Sequence, residues 1–540
     1  MDHLKKFWRM LWRSSKQTKQ ICKFDFASAA KGPEEEPDEP MEEFGLRPKV
    51  GLVLGPLLFI IVLMCNFEGL AYEGKAVLAC TCWIATWWVC ETIPIPATAL
   101  LPIILFPLTK ATNVKAACGP YSDTIVFLFL GGFIIALAIE KVNLHKRIAL
   151  KIIQIMGDSP SRIILGFMVA TGFLSMWISN TATAMMMVPI GLAVIAQIAA
   201  LVKDQPGIDI RKGHFNFGTA LMLGIAYSAS LGGVATIIGT PPNAILVGII
   251  NTMFNQNITF FEFMMFGVPV AWLGIIFAWI ILTRISCPLG IKNIPGGLAV
   301  INEEYKKLGK RTYDETVVGA VFFLVAFLWI IRGFVFSKIG LGMVDDTVIA
   351  VFGAAILFLI PSSQKGKFIM NWQAASKAPF GILLLFGSGL SIANAFSATG
   401  LTAWMAELLT GLEGIPTLLM MLTVTFLAVC LTEVTSNTAT ASMLMPILAS
   451  IAIGMNIHPY TLMICGAMAC SFAFLLPVAT PPNAVVFGSG YLTIPQMVKA
   501  GIFLEIPCIP LTACLCYFYL PIVWGVDFST LPQWAQIVIK

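Results

Sequence analysis

Two short strings of hydroxyl and amide residues occur twice in an otherwise apolar chain. Ser179-Asn180-Thr181-Ala182-Thr183-Ala184 returns as Ser436-Asn437-Thr438-Ala439-Thr440-Ala441. Gly239-Thr240-Pro241-Pro242-Asn243 returns as Ala479-Thr480-Pro481-Pro482-Asn483. Each Pro-Pro pair removes backbone donors and disrupts the preceding helix, which frees carbonyl groups. Freed carbonyls together with hydroxyl and amide oxygens make a hard-oxygen cage, suited to a desolvated Na⁺ rather than a softer metal. Helix starts at the same points present N–H groups to the oxygens of an anion. Ser175, Ser179, Asn180 and the Gly239 carbonyl are the candidates for one Na⁺ cage. Thr432, Ser436, Asn437 and the Ala479 carbonyl are their counterparts. Thr181, Thr438, Thr240 and Thr480, with the two Asn side chains, are candidates for substrate contact.

No Lys or Arg lies around either Ser-Asn-Thr string. A carboxylate substrate must then be held by hydroxyls, amides, helix ends and the bound cations themselves, so cation and anion stabilise each other. Glu433, three residues before Ser436, can tune the second cage from outside it, orient the hairpin or simply pair with a neighbour. The four His (His3, His145, His214, His458) fall near expected ends or loops and make no proton relay. The thirteen Cys lie mostly in apolar runs without metal-ligand spacing, as buried small hydrophobes. No metal site other than sodium is expected. GxSxG, HExxH, Walker and dinucleotide strings are absent from suitable contexts, so an enzyme is not expected.

The elements that must position these strings are membrane helices. The 540-residue chain is 58% hydrophobic and 12% charged, with apolar runs recurring from about 51 to 521. Its net charge of +5 falls in loops and the N-terminal tail, which speaks of topology and not of nucleic acid. Expected spans are 51–67, 74–91, 96–109, 121–139, 215–252, 262–284, 314–332, 344–360, 380–397, 458–489 and 500–521. Two further stretches, 162–201 and 415–452, would each be roughly 55–60 Å as helix against a hydrocarbon core of about 30 Å. Each must turn back, and the Ser-Asn-Thr string lies where the turn belongs, with Ser and Asn suited to cap the arms. With these two as re-entrant hairpins, about 11 transmembrane helices remain.

Placing the N-terminus inside puts 140–161, 202–214, 285–313 and 361–379, all rich in Lys or Arg, on the cytoplasmic side. The segment 398–414 carries Glu407 and Glu413 and no base, and lies outside. The hairpins then enter from opposite faces, as an inverted repeat requires. Gly131 with Gly387, Ser175 with Thr432 and Pro189 with Pro446 extend the correspondence, and each half carries a short amphipathic piece (144–157, 401–411). Residues 1–23 hold seven Lys/Arg and one Asp among aromatic and apolar side chains, as in a surface helix on anionic lipid. Residues 32–43 are an acidic spacer. The expected fold is an all-α polytopic membrane protein, a multi-pass protein of the cell membrane with its lipid bilayer as partner. An anion channel is the competing use of polar hairpins, but inverted halves favour alternating access.

At FLSMWISNTATA, YSASLGGVATIIGTPPN, LTEVTSNTATA and LLPVATPPN the chain resembles the divalent anion/sodium symporter family of Na⁺-coupled di- and tricarboxylate transporters. The resemblance runs over roughly 50–521. It implies a homodimer with elevator-type scaffold and transport domains. The scaffold would comprise 51–109 and 253–379, the latter with a cytoplasmic loop. The transport domain would comprise 162–252 and 415–521, each with a hairpin and a broken helix, the second also with the last span. Residues 110–161 and 380–414 would link them, 1–50 would be a cytoplasmic extension and 522–540 an extracellular C-terminal tail. The family's Na⁺ roles carry over to Ser175, Ser179, Asn180 and Gly239, then to Thr432, Ser436, Asn437 and Ala479. Its substrate roles carry over to Asn180, Thr181, Asn437 and Thr438, with help from Thr480 and Pro481. The implied activity is Na⁺ symport of C4-dicarboxylates such as succinate, malate and fumarate. Citrate/Na⁺ symport and dicarboxylate exchange are alternatives, and sulfate transport ranks behind them.

Overall fold

Apolar runs in a hydrocarbon solvent must pair their own backbone groups, and here they do so as helices. The computed structural model describes residues 45–203, 205, 208–291, 298–336, 338–412, 414–528 and 530–536. The basic segment 1–23 and the acidic spacer 32–43 lie outside the described residues. Among the described residues there is no strand, only an isolated bridge between Pro361 and Phe368.

Eight helices among the described residues are long and apolar enough to cross a membrane. They are Leu46–Met64, Val114–Lys141, Asn180–Val202, Phe260–Ser286, Tyr313–Val335, Phe380–Ala398, Asn437–Gly454 and Ile494–Trp524. The first begins earlier than the expected 51, so the boundary of the extension at 50 moves back and Arg47 belongs to a helix. The expected 96–109 span is divided by its prolines into Ile95–Thr98 and Leu101–Leu108. The two over-long stretches are each a pair of helices: Pro160–Ser175 with Asn180–Val202, and Thr417–Thr432 with Asn437–Gly454. Four residues separate the arms of each pair, and the Ser of Ser-Asn-Thr is the last of them. The two Thr-Pro-Pro segments break helices as expected, into Asn216–Gly233 and Pro241–Phe254, and into Tyr460–Ala469 and Pro481–Phe487.

The broken helices form the centre. Every residue from Phe217 to Gly233 and from Tyr460 to Ala469 is buried, which suits helices apolar on all sides. Leu46–Met64 is the opposite case, burying only Gly51 and Gly55 and turning its apolar side chains outward. Tyr313–Val335 likewise exposes Phe323, Phe327 and Phe334. Outward apolar surface of this kind is what lipid covers.

Polar chemistry gathers at the helix ends. Thr259 and Thr312 open their helices with reciprocal bonds to Glu262 and Glu315. Arg147, on the amphipathic helix Leu144–Met156, pairs with Glu315 at 2.8 Å and donates to the carbonyls of Leu308 and Gly309. His458, between two helices, accepts from the Tyr460 N–H through Nδ1 at 3.2 Å and meets the rings of Tyr460 and Trp534 edge-on.

Candidate functional site

The four repeated strings converge on one cavity of about 480 Å³. Ser179, Asn180, Thr181, Gly239, Thr240 and Pro241 line it from the first half. Ser436, Asn437, Thr438, Ala479, Thr480 and Pro481 line it from the second. Ser175 and Thr432 stand behind Asn180 and Asn437, fully buried. All sequence-selected residues are therefore brought together, eleven of the thirteen on the cavity wall and two beneath it. Three helices of fourteen residues or more begin at this wall, at Asn180, Pro241 and Asn437, with Ser179, Thr240 and Ser436 as their caps. The free N–H groups at the Asn180 and Asn437 starts give the wall a partial positive character; the third start, Pro241-Pro242, has no N–H to offer and contributes through its helix dipole alone.

Behind each Asn lies a cluster of oxygens with few protons. In the first half, the Ser175 hydroxyl donates to the Ala229 carbonyl at 2.6 Å. The Asn180 amide, oriented by its partners, donates to Ser175 Oγ at 2.6 Å, the Ala229 carbonyl at 3.1 Å and the Gly239 carbonyl at 3.3 Å. Turning that amide over would bring its oxygen to the same three oxygens. Such an arrangement needs a cation at its centre. In the second half, Thr432 Oγ1 lies 2.7 Å from Asn437 Oδ1 and 2.8 Å from the Cys470 carbonyl. One hydroxyl proton faces two acceptors there, so this cluster also suits a cation with oxygen ligands. The carbonyls of Ala229 and Cys470 were not among the sequence candidates. They are backbone atoms of unremarked residues, and only the packing of the broken helix against the hairpin selects them.

Close backbone approach shapes the first break. A Cβ at Gly233 would fall 2.6 Å and 3.0 Å from the two amide atoms of Asn180, and one at Gly239 would strike the Gly233 carbonyl. The breaks are then held by the last residue of each motif. Asn243 Nδ2 donates to the carbonyls of Val234 and Thr236 at 3.2 and 2.8 Å. Asn483 Nδ2 donates to those of Ala473 and Leu476, both at 3.0 Å. Their recurrence as the fifth residue of both strings was the signal that could have given them a role.

Arg47 and Glu91 are the only charged side chains on the cavity wall among the described residues, and they pair at 3.6 Å. Arg47 also donates to the Val89 carbonyl at 2.9 Å and to the Val434 carbonyl at 2.8 Å, just before the second Ser-Asn-Thr. Glu433 faces inward, accepting from the Leu475 N–H at 3.0 Å. The bond is to the second break, so it pairs Glu433 with a neighbouring segment.

Residues 51–526 match the family described as the sodium:sulfate symporter transmembrane region. The chain belongs to this family of divalent anion/sodium symporters. It is 44% identical over 484 residues to the sodium-dependent dicarboxylate transporter SdcS of Staphylococcus saprophyticus, covering 89% of this chain and 93% of that protein. The SdcS of a Staphylococcus aureus strain is 43% identical over 485 residues, covering 89% and 92%. Among solved structures, MtrF of Neisseria gonorrhoeae aligns with a TM-score of 0.56 at 13% identity, over 88% of this chain and 95% of that one. The YdaH transporter of Alcanivorax borkumensis gives 0.55 at 13%, over 83% and 99%. These structures share the fold alone. The family member described here is a multi-pass membrane transporter and not an enzyme.

Proposed function

We propose that this protein is a secondary active symporter that imports C4-dicarboxylates (succinate, malate, fumarate) together with Na⁺. The observation that carries this reading is the pair of corresponding oxygen clusters, Ser175 with the Ala229 and Gly239 carbonyls and Thr432 with Asn437 Oδ1 and the Cys470 carbonyl, flanking one cavity without an unpaired charged side chain. Ser175, Ser179, Asn180 and the Gly239 carbonyl hold one Na⁺. Thr432, Ser436, Asn437 and the Ala479 carbonyl hold the other. With both cations in place, the dianion meets positive charge beside Asn180, Thr181, Asn437, Thr438, Thr480 and Pro481, so it needs no Lys or Arg beside the repeated strings, and the one Arg on the wall, Arg47, is paired with Glu91. The names of the Staphylococcus relatives, sodium-dependent dicarboxylate transporters, support both the ion and the anion class.

In this reading about eleven helices cross the bilayer and the two Ser-Asn-Thr hairpins are re-entrant. The hairpins and broken helices move as a transport domain against a dimeric scaffold, with the N-terminus cytoplasmic and the C-terminus extracellular. The test is uptake of labelled succinate into liposomes bearing the purified protein, with Na⁺ or K⁺ outside and excess citrate or sulfate as competitors. Uptake should require Na⁺ and resist both competitors. Uptake that ignores Na⁺, or that needs an internal dicarboxylate, would replace symport by another mechanism.

A further inference from the structure

Two consecutive peptide units in the second break are fastened at both ends by side chains from four different elements. The Ala473 carbonyl accepts from Asn483, and the N–H of the same peptide, that of Phe474, donates to Glu505 Oε1 at 3.0 Å. The Phe474 carbonyl accepts from the Tyr227 hydroxyl at 3.0 Å, and the N–H of that peptide, that of Leu475, donates to Glu433 Oε1 at 3.0 Å. Asn483 and Tyr227 are fully buried, and Glu433 and Glu505 are nearly so. Irregular backbone at membrane depth survives only where its polar groups are met in this way.

The first break is built differently. There the Ala235 N–H donates locally to the Gly232 carbonyl, and the Thr236 hydroxyl donates to the Met176 carbonyl at 2.6 Å. Leu476 takes the place of Thr236 in the second half and has no hydroxyl to offer. Glu433, which stands where Met176 does, reaches the second break with its carboxyl instead. Glu505 comes from the last long helix, outside every repeated string. Tyr227 lies on the first broken helix, two residues before Ala229, whose carbonyl belongs to the first oxygen cluster. Its hydroxyl is thus a direct bond from the helix serving one cluster to the break serving the other.

We propose that Glu505 and Tyr227 are positioning residues for the second cation site, and that Tyr227 couples it to the first. The proposal rests on reading the paired clusters as Na⁺ sites. Holding Phe474 and Leu475 fixes the path between Cys470 and Ala479, whose carbonyls the second cation needs. A cation that orders the first broken helix also orders Tyr227, and through it the second break, so filling one site favours filling the other. A glutamine at 505 can reproduce the acceptor for the Phe474 N–H; a leucine cannot.

The experiment is succinate uptake against Na⁺ concentration in proteoliposomes of the full-length protein, comparing wild type with Tyr227→Phe, Glu505→Gln and Glu505→Leu. Tyr227→Phe and Glu505→Leu should raise the half-saturating Na⁺ concentration about 5-fold, the effect of one buried hydrogen bond. Tyr227→Phe should also bring the Hill coefficient for Na⁺ toward unity. The succinate KM at saturating Na⁺ should move less than about twofold, and Glu505→Gln should behave as wild type. Loss of maximal rate with unchanged Na⁺ dependence would overturn the proposal, leaving a purely structural role. So would a Glu505→Gln variant as impaired in Na⁺ dependence as Tyr227→Phe, a comparison that stands even if the leucine variant does not fold. Wild-type uptake indifferent to Na⁺ would instead defeat the symport reading itself, and the positioning roles with it.

Discussion

Replacing Asn180 or Asn437 by alanine is expected to cut Na⁺-driven succinate uptake by more than ~100-fold while leaving the protein membrane-inserted and monodisperse. The size follows from what each amide does. Asn180 faces Ser175 and the carbonyls of Ala229 and Gly239 on one side and the cavity on the other. Asn437 stands in the same relation to Thr432 and the cavity. Each amide can therefore contact a cation behind it and a carboxylate in front. An interaction with a charged group contributes roughly 1.5–3 kcal/mol. Losing two from one residue amounts to at least about two orders of magnitude in the transport step. Insertion should survive because neither side chain belongs to the apolar core. Near-normal uptake by both variants would mean that the duplicated strings do not form the site.

The second large effect is expected at a residue with no side chain. Gly233→Ala should impair Na⁺-dependent uptake severely, whereas Ala473→Gly, at the matching place in the second break, should be mild. The reason is the position of Asn180, whose two amide atoms would lie 2.6 and 3.0 Å from the new methyl group. No flexible chain end is available to yield: the obstacle is the proposed ligand itself, held by Ser175 and Ala229. Overpacking of this kind costs roughly 1–3 kcal/mol, or about 5- to 150-fold, and here the whole strain falls on one cation site. Titrating Na⁺ dependence in the two variants checks this directly. Equal effects at 233 and 473 would show that close approach to Asn180 is not what the glycine serves.

The site was legible in the sequence wherever polar residues interrupt apolar runs, because such interruptions have few structural uses at membrane depth. Ser-Asn-Thr and Thr-Pro-Pro were found that way, and so were the paired arms, since a run too long for one crossing has to turn. Contacts that no local pattern encodes stayed hidden. Glu505 lies in a proline-containing apolar helix, Tyr227 in a fully buried one, and their common partner Phe474 is reached only by folding across 31 and 247 residues. Arg47 was assigned to the N-terminal extension because the apolar run that marks the first span starts only at about 51, whereas the helix begins at Leu46. Asn243 and Asn483 were in view as motif letters, but their task is to bind carbonyls left open by the break, and those carbonyls carry no sequence signature.

The Asn staples bear on the order in which the protein forms during synthesis. Asn243 reaches back only seven and nine residues to the carbonyls it holds, and Ser175 meets Ala229 across 54. Every bond described within the first cluster lies between Ser175 and Asn243. Contacts of such short range close early, and N-terminal units fold first as the chain emerges. The first cluster can therefore be complete while the second half is still on the ribosome, and Phe474 later docks its carbonyl onto a Tyr227 already in place. One half of this transporter acts as the template on which the other is assembled.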